Sequence, residues 1–385
     1  MQSTEHKAPL DSILKVGETL PADIYAANGL LLLRKGHYVL NEKQRERLVA
    51  LGMTHPASAL PPVESDLARI SGEFSPFEEI QYAARHLDYL LGAGLSARGF
   101  EQRVRALANR LIAFTEKAPD GMLASLLLVP LAKYSSAHSI HVGIILAVLT
   151  RRLSLEQPER NSLISAALTM NLSIASLMDE LHHQSSPLSQ EQRNLIEGHP
   201  LLSSAMLREL GITDELWHLL VQTHHEKWDG KGYPYRLDKE NIESLSHLLH
   251  LADVTAAKLV PRTYRSAMKP NTALAQIFME ANALFDYRFT SLLVKELGIY
   301  PPGSFVQLAN QEMGVVLSRR ERADEPCVAV LRRNDGAPYN KPQLREASAH
   351  EYRILQAIDQ KQIGIRPQYL ASLWARHRSG SSTYK

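Results

Sequence analysis

His224-His225-Glu226-Lys227-Trp228-Asp229-Gly230-Lys231-Gly232-Tyr233-Pro234 follows an apolar helical stretch that carries Leu216, Leu219, Leu220 and Val221. Two adjacent histidines at a helix end reach one ion only if the backbone turns there, and the Asp, Gly, Gly and Pro that follow supply the turn. Alone, such a pair reads as a surface feature before a loop. Three single residues elsewhere offer it company: His138 on the helix running into Val142 to Leu149, His199 just before Pro200, and Asp253 after Leu248, Leu249 and Leu251. Imidazoles and a carboxylate converging from several helices of a bundle suit Fe, Mn or Zn better than Mg or Ca.

Around this stretch, nearly everything from Met122 to about Leu297 fits helices separated by short breaks at Gln157-Pro158, His199-Pro200, Ile212-Thr213 and Lys269-Pro270. Upstream, Ser75-Pro76 with Glu78 starts a helix that keeps its spacing to Leu91, and a second runs from about Phe100 to Lys117. Between His55 and Ser75 the composition turns to Pro, Ser, Ala and Gly, as in a linker. From Lys15 to Gly52 short apolar runs punctuated by Asn28-Gly29 and Arg34-Lys35-Gly36 predict a small β module, closed by a helix with Asn41 and Gln44 at capping-box spacing. Beyond Gly298, runs over Ser304 to Leu308, Gly314 to Leu317 and Cys327 to Leu331 predict a short β appendage, and the basic tail from Arg376 is expected to fray. The expected organisation is a β-rich accessory module (1–60), a linker and helical connector (61–121), the main helical domain (122–320) and a C-terminal extension (321–385).

Composition excludes several roles. Lysine and arginine number 43 against 41 acidic residues, so no global field draws the chain onto nucleic acid and any anion site must be local. The apolar stretches Met122 to Ala132 and Val142 to Leu149 fall short of the ~20 residues a membrane helix needs, and no span is expected. Met1 to Pro9 lack the pattern of a secretory signal and the single Cys327 can form no internal disulfide, so a cytoplasmic chain is expected.

The stretch from His224 to Pro234 resembles the HHExxDGxGYP signature of the HD-GYP family, a branch of the HD phosphohydrolases that hydrolyse cyclic di-GMP, and the resemblance spans roughly residues 125 to 320. It implies a mainly α fold, an HD-type helical bundle between the N-terminal β module and the C-terminal β appendage. It also implies that His199, His224 and His225 serve one metal and His138 and Asp253 another. Arg262, Tyr264 and Arg265 resemble the family's substrate-contacting RPYR segment, with Thr263 in place of its proline, and an arginine pair suits phosphodiester oxygens. Phe285-Asp286-Tyr287 and Gly298 to Ser304 are similar to further family elements, and Leu30 to Gly36 to upstream accessory modules. The Gly232-Tyr233-Pro234 loop is expected to be exposed, and family members present it to signalling proteins.

The family's namesake His–Asp pair falls on Met170-Asn171, and its nearby lysine on Ile174. A thioether is soft, and a neutral amide such as that of Asn171 bridges two cations poorly. Two-metal hydrolysis needs ions ~3.5–4 Å apart to clamp the attacking and leaving oxygens. One divalent ion or partial occupancy is therefore expected, with cyclic di-GMP or a protein partner bound and hydrolysis weak or absent. The alternative is an active phosphodiesterase yielding pGpG or GMP, because three imidazoles with water also build mononuclear zinc enzymes. Other histidines read as bystanders: His182-His183 as a solvated loop pair, His247 and His250 as a partly exposed helix face, His141 as a surface group. A zinc protease is excluded because Asp229-Gly230 stand where its second His is required.

Overall fold

The computed structural model describes residues 10, 14–26, 31–33, 35–53, 75–259, 268–281, 284–365 and 367–375, and the chain divides into two units, Met1–Ser71 and Gly72–Lys385. In the first, β1 (Ile24–Ala26) lies between β2 (Leu31–Leu33) and β3 (Gly52–Met53), antiparallel to both. Helix α1 (Glu42–Leu51) starts where expected, the Asn41 side chain accepting the Gln44 N–H at 2.8 Å. Leu14, Leu20, Ile24, Val39 and Leu48 form the core of this small unit. The Asn28-Gly29 turn lies outside the described residues, but β1 and β2 pair on either side of it.

The second unit is built around two central helices, α5 (Tyr134–Leu149) and α6 (Gln157–Thr169), the latter buried from Arg160 onward. All residues of α5 from Ser135 onward are buried, the signature of a helix at the centre of a bundle rather than on its surface. Around them pack α2 (Pro76–Ala93), α3 (Phe100–Lys117), α4 (Pro119–Leu128), α7 (Ala175–His183), α9 (Glu215–Thr223), α10 (Ser244–Leu259) and α12 (Tyr287–Leu297); α8 (Gln190–Glu209) lies on α9, and α11 (Pro270–Met279) on α10 and α12. The segment expected as a connector is thus part of the bundle: α2 and α3 both lie on α5, with Ile80, Leu87, Leu107 and Leu111 fully buried. Among the described residues one apolar helical run, Gln157–His183, has the length and hydropathy of a membrane span; it is interrupted by a 3₁₀ turn at Leu172–Ile174, and 72% of its apolar window is buried.

The break expected at His199-Pro200 does not occur, and α8 runs straight through it. Ser189 and Gln192 form the capping box that starts this helix, and the tertiary packing of His199, Pro200, Ser203 and Leu207 outweighs the missing hydrogen bond. After α12 the chain forms a five-stranded antiparallel sheet, larger than the three runs expected. Its strands β4 (Phe305–Leu308), β5 (Met313–Ser318), β6 (Cys327–Arg332), β7 (Pro338–Glu346) and β8 (Ile354–Ala357) lie in the order β7-β6-β5-β4-β8. Strands β7 and β8 escape a pattern reading because they are edge strands with mixed burial. Since β5 pairs with β6, the sheet is continuous across the boundary expected at residue 320. Helices α13 (Gln360–Ile363) and α14 (Pro367–Ala375) follow the sheet, and the tail from Arg376 lies outside the described residues. Trp374 of α14 stacks on Phe77 at 5.6 Å and donates its indole N–H to Leu317 O at 2.9 Å, tying sheet and bundle into one unit.

Candidate metal centre

The helix that delivers the histidine pair is fixed at its start. Asp214 caps α9 by accepting the Trp217 N–H at 3.0 Å and pairs with Arg105 at 2.9 Å. Trp217 is fully buried, and its indole N–H donates to Thr169 Oγ1 at 2.8 Å, so the register of α9 is set against the end of α6. The chain leaves α9 through His224 and His225 into the loop of residues 226–238, which Glu226 organises. Its carboxylate is fully buried and accepts the backbone N–H groups of Tyr235 (2.7 Å), Arg236 (3.2 Å) and Leu237 (3.0 Å). At Gly232 an added Cβ would lie 2.4–2.6 Å from the backbone of His225, Glu226 and Lys227, so no other residue fits. Tyr233 stacks on His225 at 4.6 Å, and the Tyr233-Pro234 peptide is cis. The Gly232-Tyr233-Pro234 element is therefore not the exposed loop expected: Gly232 is buried, Tyr233 and Pro234 are half-buried with Tyr233 against the histidines, while Tyr235 and Arg236 face solvent.

Five of the expected residues converge. His199, His224 and His225 each bring a ring nitrogen within 4.8 Å of the other two, and His225, His250 and Asp253 form a second such group. His138 joins through Asp253, its Nε2 lying 2.6 Å from Oδ1, while Oδ2 is 4.0 Å from His225 Nδ1. These contacts join residues on α5, α8, the end of α9 and α10.

The hydrogen bonds determine which nitrogen of each ring is available. His199 Nδ1 lies 2.5 Å from Ile196 O and His224 Nδ1 2.8 Å from Val221 O. A carbonyl oxygen only accepts, so both Nδ1 atoms carry the proton and both Nε2 atoms are bare lone pairs. Those two Nε2 atoms face each other at 3.2 Å. Two buried lone pairs at that distance repel unless a cation or proton lies between them, and the separation is that of neighbouring ligands on an ion bound at ~2.0–2.1 Å. Burial also holds the rings neutral, lowering His199 to about 4 and His224 to about 3, with the neighbouring imidazole contributing at His224. Burial alone would raise the Asp253 carboxyl, but the His138 hydrogen bond and the surrounding imidazoles hold it far below the usual carboxylate range. Neutral imidazoles around one ionised carboxylate form a donor set that fits a borderline divalent cation.

The Ile196 carbonyl is free for His199 because of the next residue. In a regular helix it would accept the N–H of residue 200, and Pro200 has none.

The turn holding the altered pair follows α6. Met170 is fully buried, Asn171 is 5% exposed and Ile174 7%, and the Asn171 carbonyl accepts the Ile174 N–H at 3.1 Å. Ser173 donates its hydroxyl to His199 O at 3.2 Å and meets Ser203 Oγ at 2.9 Å. Arg262, Tyr264 and Arg265 lie outside the described residues.

Three bystander readings need correction. His250 is not on a partly exposed face: it is 5% exposed and lies in the second ligand group. Its signal was present as His250-x-x-Asp253, one helical turn apart on α10. His247 is also buried, but its ring packs against Trp228 at 4.6 Å, away from both groups. His141 is buried beside His138, with neither ring nitrogen hydrogen-bonded to a described residue, and burial lowers it to about 3. His182 and His183 end α7 rather than lying in a loop, and His182 stacks on Tyr134 at 4.7 Å. A helix at the centre of a bundle buries whatever polar residue it carries, which is why α5 takes Ser139 and His141 inside.

Residues 106–288 match the HD domain family. The chain is 28% identical over 217 residues to a cyclic di-GMP phosphodiesterase of Pseudomonas aeruginosa, a match covering 56% of this chain and 52% of that protein. It is 26% identical over 223 residues to the cyclic di-GMP phosphodiesterase response regulator RpfG of Xanthomonas campestris, covering 57% of this chain and 54% of the other. It is also 25% identical over 168 residues to a 3'3'-cGAMP-specific phosphodiesterase of Vibrio cholerae, covering 44% and 36%. A solved HDGYP protein of Bdellovibrio bacteriovorus aligns with a TM-score of 0.49 at 14% identity, over 73% of this chain and 96% of that one. The chain spans about half the length of the first two of these relatives. Residues 106–288, which carry the signature loop folded onto converging imidazoles, match the HD domain family, and the chain is similar to proteins of the HD-GYP type.

Proposed function

We propose that this protein is a cyclic di-GMP signalling protein whose metal centre is unequal: His199, His224 and His225 hold one divalent cation, and hydrolysis of the dinucleotide is weak or absent. The observation that carries the reading is the pair of bare Nε2 lone pairs 3.2 Å apart, set against Met170, Asn171 and Ile174 where the family has two ligands and a lysine. Relatives named for cyclic di-GMP and for 3'3'-cGAMP support a cyclic dinucleotide as the ligand class. A bound divalent cation supplies Lewis acidity toward a phosphodiester oxygen. The protein's own groups orient and exclude: carbonyls 196 and 221 hold two rings in the ligating tautomer, and Tyr233 covers His225. We assign Arg262, Arg265 and Tyr264 to phosphate and base contact on their sequence pattern. The Tyr235-Arg236 edge of the loop, which faces solvent, is the surface we assign to a protein partner.

The test is to count metal per chain, titrate cyclic di-GMP calorimetrically and follow pGpG by chromatography. The expected outcome is about one ion, saturable binding and little product; His224→Ala should cut metal affinity by at least ~100-fold, as loss of one ligand in a small set does. Rapid turnover that disappears in His224→Ala would overturn the non-hydrolytic reading in favour of an active phosphodiesterase.

A further inference from the structure

We propose that His250 is a cation ligand in this chain, and that with Asp253, beside His225, it forms a second, weaker cation position that makes no use of the family's His–Asp pair. This rests on reading the pocket as a metal centre and adds a ligand outside the signature. Four observations carry it. The donor atoms of His225, His250 and Asp253 lie within 4.8 Å of one another. His250 Nδ1 lies 2.9 Å from the His224 carbonyl oxygen, so it carries the proton and Nε2 is the nitrogen left to bind. Phe285 packs beside the ring at 5.5 Å and the residue is 5% exposed, which fixes its direction. The Asp253 carboxylate keeps Oδ1 on His138 and turns Oδ2 toward His225.

The His224 carbonyl gives this arrangement a mechanical logic. One residue supplies its side chain to the three-histidine group and its backbone oxygen to orient His250, so the two positions share a support. His247, one turn earlier on the same helix, lacks such an acceptor at the centre and packs on Trp228, which makes it a matched control. Burial lowers the His250 pKa and keeps the ring in its neutral form, consistent with this use. One carboxylate with a neutral imidazole and water suits Zn²⁺, Co²⁺ or Mn²⁺.

The experiment uses the full chain and Co²⁺ or Zn²⁺, with calorimetry for affinity, elemental analysis for stoichiometry and the visible Co²⁺ spectrum for coordination. The informative variant is His250→Asn: its amide N–H retains a donor for the His224 carbonyl and removes the ligating lone pair. The expected result is a two-phase isotherm in which His250→Asn weakens only the weaker phase, by about tenfold or more, and alters its Co²⁺ bands, while His247→Asn leaves both phases unchanged. An isotherm unaffected by His250→Asn would overturn the ligand assignment and leave the three-histidine site standing. Loss of both phases with unchanged far-UV circular dichroism would overturn it in favour of a purely positioning role. A wild-type chain that binds none of these cations would bring down the metal-centre reading itself.

Discussion

The chain leaves α9 through His224 and His225 and leaves α6 through Met170 and Asn171, and these two buried exits are chemically opposite. At the first, the N–H of the buried His224 ring has a carbonyl partner and its lone pair faces the cluster. At the second, Met170, Leu172 and Ile174 are packed into the core with 0%, 4% and 7% of their surface exposed. Among the described residues, Ser173 keeps a polar task there, holding His199 O and meeting Ser203. The contrast separates two jobs that a metal-site turn combines. The α6 exit presents apolar packing where the α9 exit presents ring nitrogens, while Ser173 still supports the backbone of the neighbouring His199.

The largest effect should come from reversing that difference. Met170→His, Asn171→Asp and Ile174→Lys together should raise the number of bound ions and generate pGpG where the wild type makes little, read by elemental analysis and chromatography. In metal-free buffer the same variant should melt below wild type, because burying a carboxylate and an ammonium without partners costs several kcal/mol; added metal should recover part of that loss. No gain in occupancy or product would mean that the altered turn does not face the cluster.

The two exits also differ in how legible they are. The helix-end signature and the Asn41 cap are readable because each rests on local spacing that few geometries satisfy. The family pattern places His138, His199, His225 and Asp253 at one centre, and in the structure they approach one another from three helices and the turn after a fourth. Burial was not readable: His141, His247 and His250 look like helix-surface residues until their helices are placed between others. The continuity of α8 through Pro200 was hidden for a related reason, since a local breaker was overruled by tertiary packing.

The signature loop provides a sharper probe of the polar exit. Glu226→Ala removes the acceptor for three backbone N–H groups, and charge-assisted bonds of this kind carry about 1.5–3 kcal/mol each where water cannot substitute. Residues 235 and 236 lie at the surface and water replaces part of the loss, so a net cost of about 2–3 kcal/mol in urea unfolding is expected, with faster proteolysis after Tyr235 or Arg236. Glu226→Gln, which keeps one oxygen acceptor, should fall between. Equal stability of all three proteins would show that the loop holds its shape without this carboxylate.

The smallest and most discriminating effect concerns Pro200. Replacing it by Ala restores an N–H directed at Ile196 O, the acceptor that fixes His199 in its ligating tautomer. The carbonyl has two lone pairs and can share them, so the competition is partial and metal affinity should fall by about tenfold at most. Stability should move the other way, because Pro in a helix interior is disfavoured by ~3 kcal/mol relative to Ala and α8 already runs unbroken through the site. Opposite signs in the two measurements, a higher Tm with weaker metal binding, would show that a helix-breaking residue is retained to orient a ligand. A higher Tm with unchanged affinity would show that the carbonyl serves both partners, leaving the facing lone pairs to be aligned by packing and Ser173.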